Sequence, residues 1–180
     1  IMSSDWSSDV CSSDLAVRSC LRHTSLQPNC LYVGRRSVDE MRDLRRAGVR
    51  ILSHQPIMRE ALATAYGDAY PQFAGHWLRM DIPLLEFEDE IVLYTDFDVV
   101  FRSMPESVDR PRLIAAAPEQ RKLDRTSFNS GVMLMNLPAL RRVDADFREA
   151  VYRRLRGNFR YPTHDQASYN EFFGGRIDRL

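Results

Sequence analysis

The sequence predicts an α/β domain with a mostly parallel central sheet flanked by helices, and three observations carry that expectation. The first is residues 91–101, Ile-Val-Leu-Tyr-Thr-Asp-Phe-Asp-Val-Val-Phe, where one apolar run enters and another leaves. A short unbroken apolar run of this kind reads as a strand covered on both faces, as in a parallel sheet. The second is a strand–helix–strand unit made of residues 30–33, a helix closed by Gly48, and residues 49–52. Short turns between such elements make parallel neighbours of the two strands. The third is the succession of apolar strands at 113–117 and 132–137, followed by a helix carrying Leu140, Phe147, Val151 and Leu155 at helical spacing.

In chain order, residues 16–23 read as the last turns of a helix, and residues 30–33 as a strand ending at Gly34. Ser37-Val38-Asp39-Glu40 has the capping-box form, Ser followed three residues later by Glu, and opens a helix with Val38, Met41 and Leu44 on one face. Residues 56–66 and 71–80 read as two further helices, each with proline near its start, and Pro83 breaks the chain before the central strand. Thr163-His164-Asp165-Gln166 repeats the capping-box form and opens a last helix through Phe172. No repeat and no linker divides residues 16–180, which are expected to form one domain. Residues 1–15, IMSSDWSSDVCSSDL, carry Ser-Ser-Asp three times and have little to bury. They lack the basic and apolar regions of a signal peptide and are expected to be a non-native or disordered leader outside the fold.

Bulk composition narrows the function classes. A chain of 180 residues, 44% apolar, suits one domain with a real core. Formal net charge is zero, with 25 basic and 25 acidic residues, which argues against a nucleic-acid binder. Lys122 is the sole lysine, an arginine bias that reflects genome composition before chemistry. Cys11, Cys20 and Cys30 show no zinc-type spacing, and so sparse a set fits a reducing cytoplasm. No apolar run reaches 18 residues, so no transmembrane segment is expected.

The chemistry gathers at the end of the central strand. Asp96 and Asp98 lie one residue apart where the apolar run closes. Burying an unpaired carboxylate costs several kcal/mol, and a hard divalent cation both uses the oxygens and removes the repulsion. Open α/β sheets bind ligands outside the carboxyl ends of their strands, where this pair falls. The plainer reading is two solvated aspartates opening a loop. Arg79 stands just before the proline break, as a surface arginine or a ligand contact. Phe128-Asn129-Ser130-Gly131 precedes an apolar strand, as turn chemistry or as backbone brought close to a ligand. Asp165, in the first turn of a helix, favours the helix dipole whatever else it does.

Taken in order, Arg79 with Ile82-Pro83, then Tyr94-Thr95-Asp96-Phe97-Asp98-Val99-Val100, then Phe128-Asn129-Ser130-Gly131-Val132-Met133, then Asp165-Gln166 with Asn170, resemble the retaining glycosyltransferases of family 8. That family includes glycogenin and bacterial lipopolysaccharide galactosyltransferases. The resemblance implies the nucleotide-sugar-binding GT-A fold and transfer of a sugar, with retention, from a UDP-linked donor to a glycan or lipid-linked acceptor. It implies that Asp96 and Asp98 hold Mn²⁺ or Mg²⁺ and that Arg79 contacts donor phosphate or sugar. Asn129, Ser130 and Gly131 would line the sugar side of the donor pocket. Asp165 would bind sugar hydroxyls and Gln166 would face the anomeric carbon. The implied location is cytoplasmic, including the inner face of the membrane.

The chain departs from the family pattern at both ends. Members begin with a strand that holds the nucleotide base, where residues 1–15 stand here, and supply a third metal ligand, a histidine, beyond the Asp-Gln motif. None of His23, His54, His76 or His164 occupies that position. The resemblance therefore implies a partial domain, lacking both ends of its donor site. Thr95 stands where many relatives are apolar. Two rival readings stay open. Asp96 also fits the nucleophile of haloacid-dehalogenase-type phosphotransferases. That family needs a later lysine, a downstream acidic pair and a motif near the start of the domain, and here the only lysine is Lys122 and no Asp-Asp follows. The other rival is a GT-A-shaped module that binds a nucleotide sugar or glycan without turnover.

Overall fold

The computed structural model describes residues 2–3, 10–33, 41–103, 109–119, 127–157 and 164–180. Its strands are β1 (Met2–Ser3), β2 (Asn29–Tyr32), β3 (Arg50–Ser53), β4 (Ile91–Asp96), β5 (Ile114–Pro118), β6 (Phe128–Asn136) and β7 (Ile177–Arg179). Its helices are α1 (Val10–His23), α2 (Arg42–Arg46), α3 (Arg59–Tyr66), α4 (Tyr70–Phe73), α5 (Leu137–Arg156) and α6 (His164–Phe173). A long 3₁₀ segment, Ala74–Leu84, leads toward β4. The seven strands form one sheet in the order β3-β2-β1-β4-β6-β5-β7. All pairings are parallel except those of β6, which runs antiparallel to both β4 and β5. The expected mostly parallel α/β sheet is therefore present.

Alternation along β2 sends Cys30 to one face of the sheet and Leu31 to the other, and both are fully buried. Cys30 joins a smaller core with Ala16, Val17 and Cys20 of α1, Leu44 of α2, Val49 and Phe97. Leu31 joins the larger core, with Trp77, Leu78 and Ile82 of the 3₁₀ segment, Tyr94, Met133, Met135, and Phe147, Tyr169 and Phe173 of the last two helices. Covering the sheet on both faces is what the continuous apolar run at 91–94 demands.

Several expectations are corrected. The leader placed outside the fold contributes Met2–Ser3 to the middle of the sheet, parallel to β2 through Cys30 and Leu31 and to β4 through Thr95 and Asp96. Backbone N–H and C=O groups pair without regard to side chain, so a slot between two strands accepts Met2 and Ser3 whatever the composition of the leader they belong to. The first helix also starts inside the leader, at Val10. Residues 71–80 are not one α-helix but α4 followed by the 3₁₀ segment, with Pro83 inside its final turn. Phe128-Asn129-Ser130-Gly131 opens β6 instead of forming a turn before it. The capping residues Ser37, Glu40 and Thr163 lie outside the described residues.

One polar clamp holds the 3₁₀ segment in register. Asp81 is 1% exposed, and its Oδ2 accepts the Ile57 N–H at 2.8 Å with His54 Nε2 at 2.9 Å. Arg148 of α5 donates to Asp81 Oδ1 at 2.8 Å and to the Met80 carbonyl at 3.2 Å, while its Nε binds Asp144 at 2.8 Å. These contacts fix the backbone two residues from Arg79. Breaking one partner of a buried ion pair costs about 3–5 kcal/mol, because the other charge is left behind. Asp81→Asn should therefore lower stability by about that much in urea denaturation; a loss near zero would show that the clamp is not structural.

Candidate functional site

The antiparallel register of β4 and β6 pairs Tyr94 with Met133 and Thr95 with Val132, which carries Asp96 toward Gly131. A side chain on Gly131 would collide there: its Cβ would lie 2.8 Å from Asn129 Oδ1 and 2.9 Å from Asp96 Oδ2. The missing side chain thus leaves a gap toward which two oxygens converge. Asn129 Oδ1 is held in place by the Gly131 N–H at 2.7 Å. Asp98, in the turn that follows β4, is exposed.

Arg79, expected on the surface or at a ligand, is buried at 3% exposure behind this gap. The 3₁₀ turn places the His76 carbonyl within reach of its Nε at 3.1 Å. One terminal nitrogen donates to the Ser130 carbonyl at 2.6 Å and to Ser130 Oγ at 3.1 Å. The other lies 3.3 Å from Asp96 Oδ1, and Nε lies 2.7 Å from Asp165 Oδ2. Because the Nε–H points at His76, the Asp165 contact is an ion pair without hydrogen-bond alignment, and Asp165 Oδ2 accepts no hydrogen bond among the described residues. The guanidinium also stands 4.7 Å above the Tyr94 ring. Burial works against its charge, but Asp165, then Tyr94 and Asp96, more than offset it and hold Arg79 protonated.

The α6 helix is fastened to the start of β6 by Asn170, which accepts from the Phe128 N–H at 2.8 Å and donates to the Phe128 carbonyl at 3.0 Å. That docking brings Asp165, 4% exposed, to Arg79 and lays Gln166 along Ser130. Gln166 Oε1 accepts the Ser130 N–H at 3.0 Å, and its Nε2 donates to Glu119 at 3.2 Å.

Arg79, Asp96, Asn129, Ser130, Gly131, Asp165 and Gln166 are thus linked where the end of β4 meets the start of β6. Asp98, two residues beyond Asp96, is exposed and acts on Asp96 through its charge. Two residues of the network escaped the sequence reading. Tyr94 donates its hydroxyl to Asp96 Oδ1 at 2.5 Å, and the alternation that puts residues 94 and 96 on one face of a strand could have revealed it. Glu119 meets Gln166 across 47 residues, and nothing local marks it.

Of the two carboxylates expected to hold a cation, Asp96 reaches the gap, while Asp98 is exposed in the turn after β4. No group of three or more His, Cys, Asp or Glu side chains suited to a metal occurs among the described residues. The donor set is nonetheless one that a hard cation accepts: Asp96 Oδ2 faces the Gly131 gap, beside Asn129 Oδ1. No helix among the described residues is long and apolar enough to cross a membrane.

No protein-family model matches the sequence, and no curated protein does. The fold matches that of the galactosyltransferase LgtC, solved with donor and acceptor sugar analogues, at a TM-score of 0.73 and 20% identity. That match covers 94% of this chain and 68% of LgtC. An LgtC variant with an active-site glutamine changed to glutamate matches at a TM-score of 0.72 and 19% identity, over the same shares of both chains. The apo form of the glycosyltransferase GlyE from Streptococcus pneumoniae TIGR4 matches at 0.70 and 19% identity, over 99% of this chain and 43% of GlyE. The chain thus spans less than half of GlyE. These likenesses show the fold, which is that of the GT-A glycosyltransferases.

Burial, opposed by Arg79 and the Tyr94 hydrogen bond, raises the Asp96 carboxyl above its ordinary value of 3.8, with Asp165 and Asp98 adding to the rise. A carboxyl raised on folding contributes stability that is fully present below its unfolded value and lost as pH climbs through the folded one. Charged Asp96 therefore costs the fold stability at neutral pH. In calorimetric melts, Asp96→Asn should melt no lower than the parent at pH 7, with the difference closing as pH falls below 3.8. A clearly lower-melting variant at pH 7 would contradict this electrostatic balance.

Proposed function

We propose that this chain is the donor-binding part of a metal-dependent glycosyltransferase. It moves a sugar, with retention, from a nucleotide donor, UDP-linked, to a glycan or lipid-linked acceptor. The observation that carries the reading is the network joining Arg79, Asp96, Ser130, Asp165 and Gln166, with Asp96 and Asn129 flanking the side-chain-free Gly131, on a GT-A fold. LgtC, which shares that fold, was solved with donor and acceptor sugar analogues and has a glutamine in its active site.

In this reading Asp96 and Asp98 hold Mn²⁺ or Mg²⁺, which when bound neutralises charge on the leaving diphosphate. Asn129 and the backbone at Ser130 and Gly131 line the sugar side, where the absent Cβ admits the donor. Arg79 works one step back: its donors are occupied by His76, Ser130 and the two carboxylates, so it positions Asp96 and Asp165. Asp165, in this reading the partner of a sugar hydroxyl, is held by Arg79 at 2.7 Å. Gln166 is held by Ser130 and Glu119 in one orientation, as a group facing the anomeric carbon requires. The opposing possibility is a module of the same shape that binds donor or glycan without turnover.

Release of free UDP from a panel of UDP-sugars, with Mn²⁺ and with a chelator, separates the two. The transferase reading expects metal-dependent release, reduced about 10-fold or more in Asp98→Asn, since each lost carboxylate weakens metal binding. The same variant should melt no lower than the parent, because it removes a like charge beside Asp96. Metal-dependent binding of UDP-sugar with no release from any donor would favour the binding module.

A further inference from the structure

Asp96 divides its two oxygens between different surroundings. Oδ1 accepts the Tyr94 hydroxyl at 2.5 Å and lies 3.3 Å from Arg79. Oδ2 faces the gap over Gly131, where a Cβ would lie 2.9 Å from it and 2.8 Å from Asn129 Oδ1. Tyr94 is fully exposed to the core and not at all to solvent: its ring belongs to the larger hydrophobic cluster, at 0% exposure, beneath the Arg79 guanidinium. A ring packed on every side cannot swing, so its hydroxyl is a fixed point two residues before the carboxylate.

We propose that Tyr94 is a positioning residue of the cation site: by pinning Asp96 Oδ1 it turns Oδ2 toward the Gly131 gap, where cation and donor diphosphate enter. The proposal rests on the metal-dependent transferase reading above. A buried tyrosine needs some partner for its O–H, and a backbone carbonyl would satisfy it equally well. Here the partner is the functional carboxylate, so one bond both satisfies the core and orients the ligand. Hydrogen bonds to a charged acceptor are short and strong, and they fix orientation well. Loss of a group that orients a metal ligand typically weakens metal affinity by about 10–100-fold.

Tyr94→Phe removes one oxygen and keeps the ring, its packing and its contact with Arg79. Mn²⁺ affinity, read by electron paramagnetic resonance on the full chain with UDP present, should fall about 10-fold or more in this variant. Far-ultraviolet circular dichroism should be unchanged. Gly131→Ala reads the same geometry from the other side, because its methyl would sit 2.9 Å from Oδ2, and it too should weaken Mn²⁺ binding. Parental Mn²⁺ affinity in either variant, alongside weakened binding in Asp98→Asn, would overturn the positioning role and leave the transferase reading standing. Absence of Mn²⁺ binding in the unmutated protein would overturn both.

Discussion

A guanidinium buried between two carboxylates is the contact on which this structure's functional end depends. Taking one cation out of water costs several kcal/mol, and only well-placed opposite charges offset that. Arg79 has Asp165 at 2.7 Å and Asp96 at 3.3 Å, with carbonyls of His76 and Ser130 taking its hydrogens. Each partner sits on a different element: the 3₁₀ segment, β4, β6 and α6. No single element could place these groups, and the arginine makes their relative positions one decision. The Asp81–Arg148 clamp, two residues along, anchors the same segment to α5 from the far side. The site is thus built on a rigid core rather than on its loops.

The arrangement leaves charge where a stable fold would not. Asp96 is only partly compensated, and burial raises its proton affinity despite Arg79. Asp165 retains an oxygen without a hydrogen bond among the described residues. Gly131 leaves open a space that any other residue would fill with carbon at less than 3 Å from two oxygens. Each feature is unfavourable or neutral for folding taken alone, and each is what a cation and a polar ligand would relieve. Concentration of such features in one place marks a functional site more firmly than any one of them.

How much of this could be read from the sequence differs from residue to residue. β2 and β4 were legible because each holds a continuous apolar run, β3 because it follows the helix-closing Gly48 in a strand–helix–strand unit, and α5 because its apolar positions recur at helical spacing. β1 and β7 were not, since two and three residues are too few to show a period; their pairing comes from neighbours far along the chain. Asn129 and Gly131 looked like turn residues because that is where those types are usually found. In β6 they mark a close approach of the strand to Asp96 instead. Arg79 defeated the composition argument altogether: an arginine in an arginine-rich chain carries no sign of burial, and its partners Asp96, Ser130 and Asp165 are remote in sequence. The ordered set of motifs made the site visible, while Glu119 and Tyr94 emerged only once the chain was folded.

The most direct measurement is a crystal structure of the protein with Mn²⁺ and UDP, with the metal located by anomalous scattering at the manganese edge. The expected result is Mn²⁺ on Asp96 Oδ2 and Asp98, with Asp96 Oδ1 still bound to Tyr94 and Arg79 still seated between Asp96 and Asp165. Manganese bound elsewhere on the sheet, or on Asp96 only after Oδ1 has left Tyr94, would contradict it.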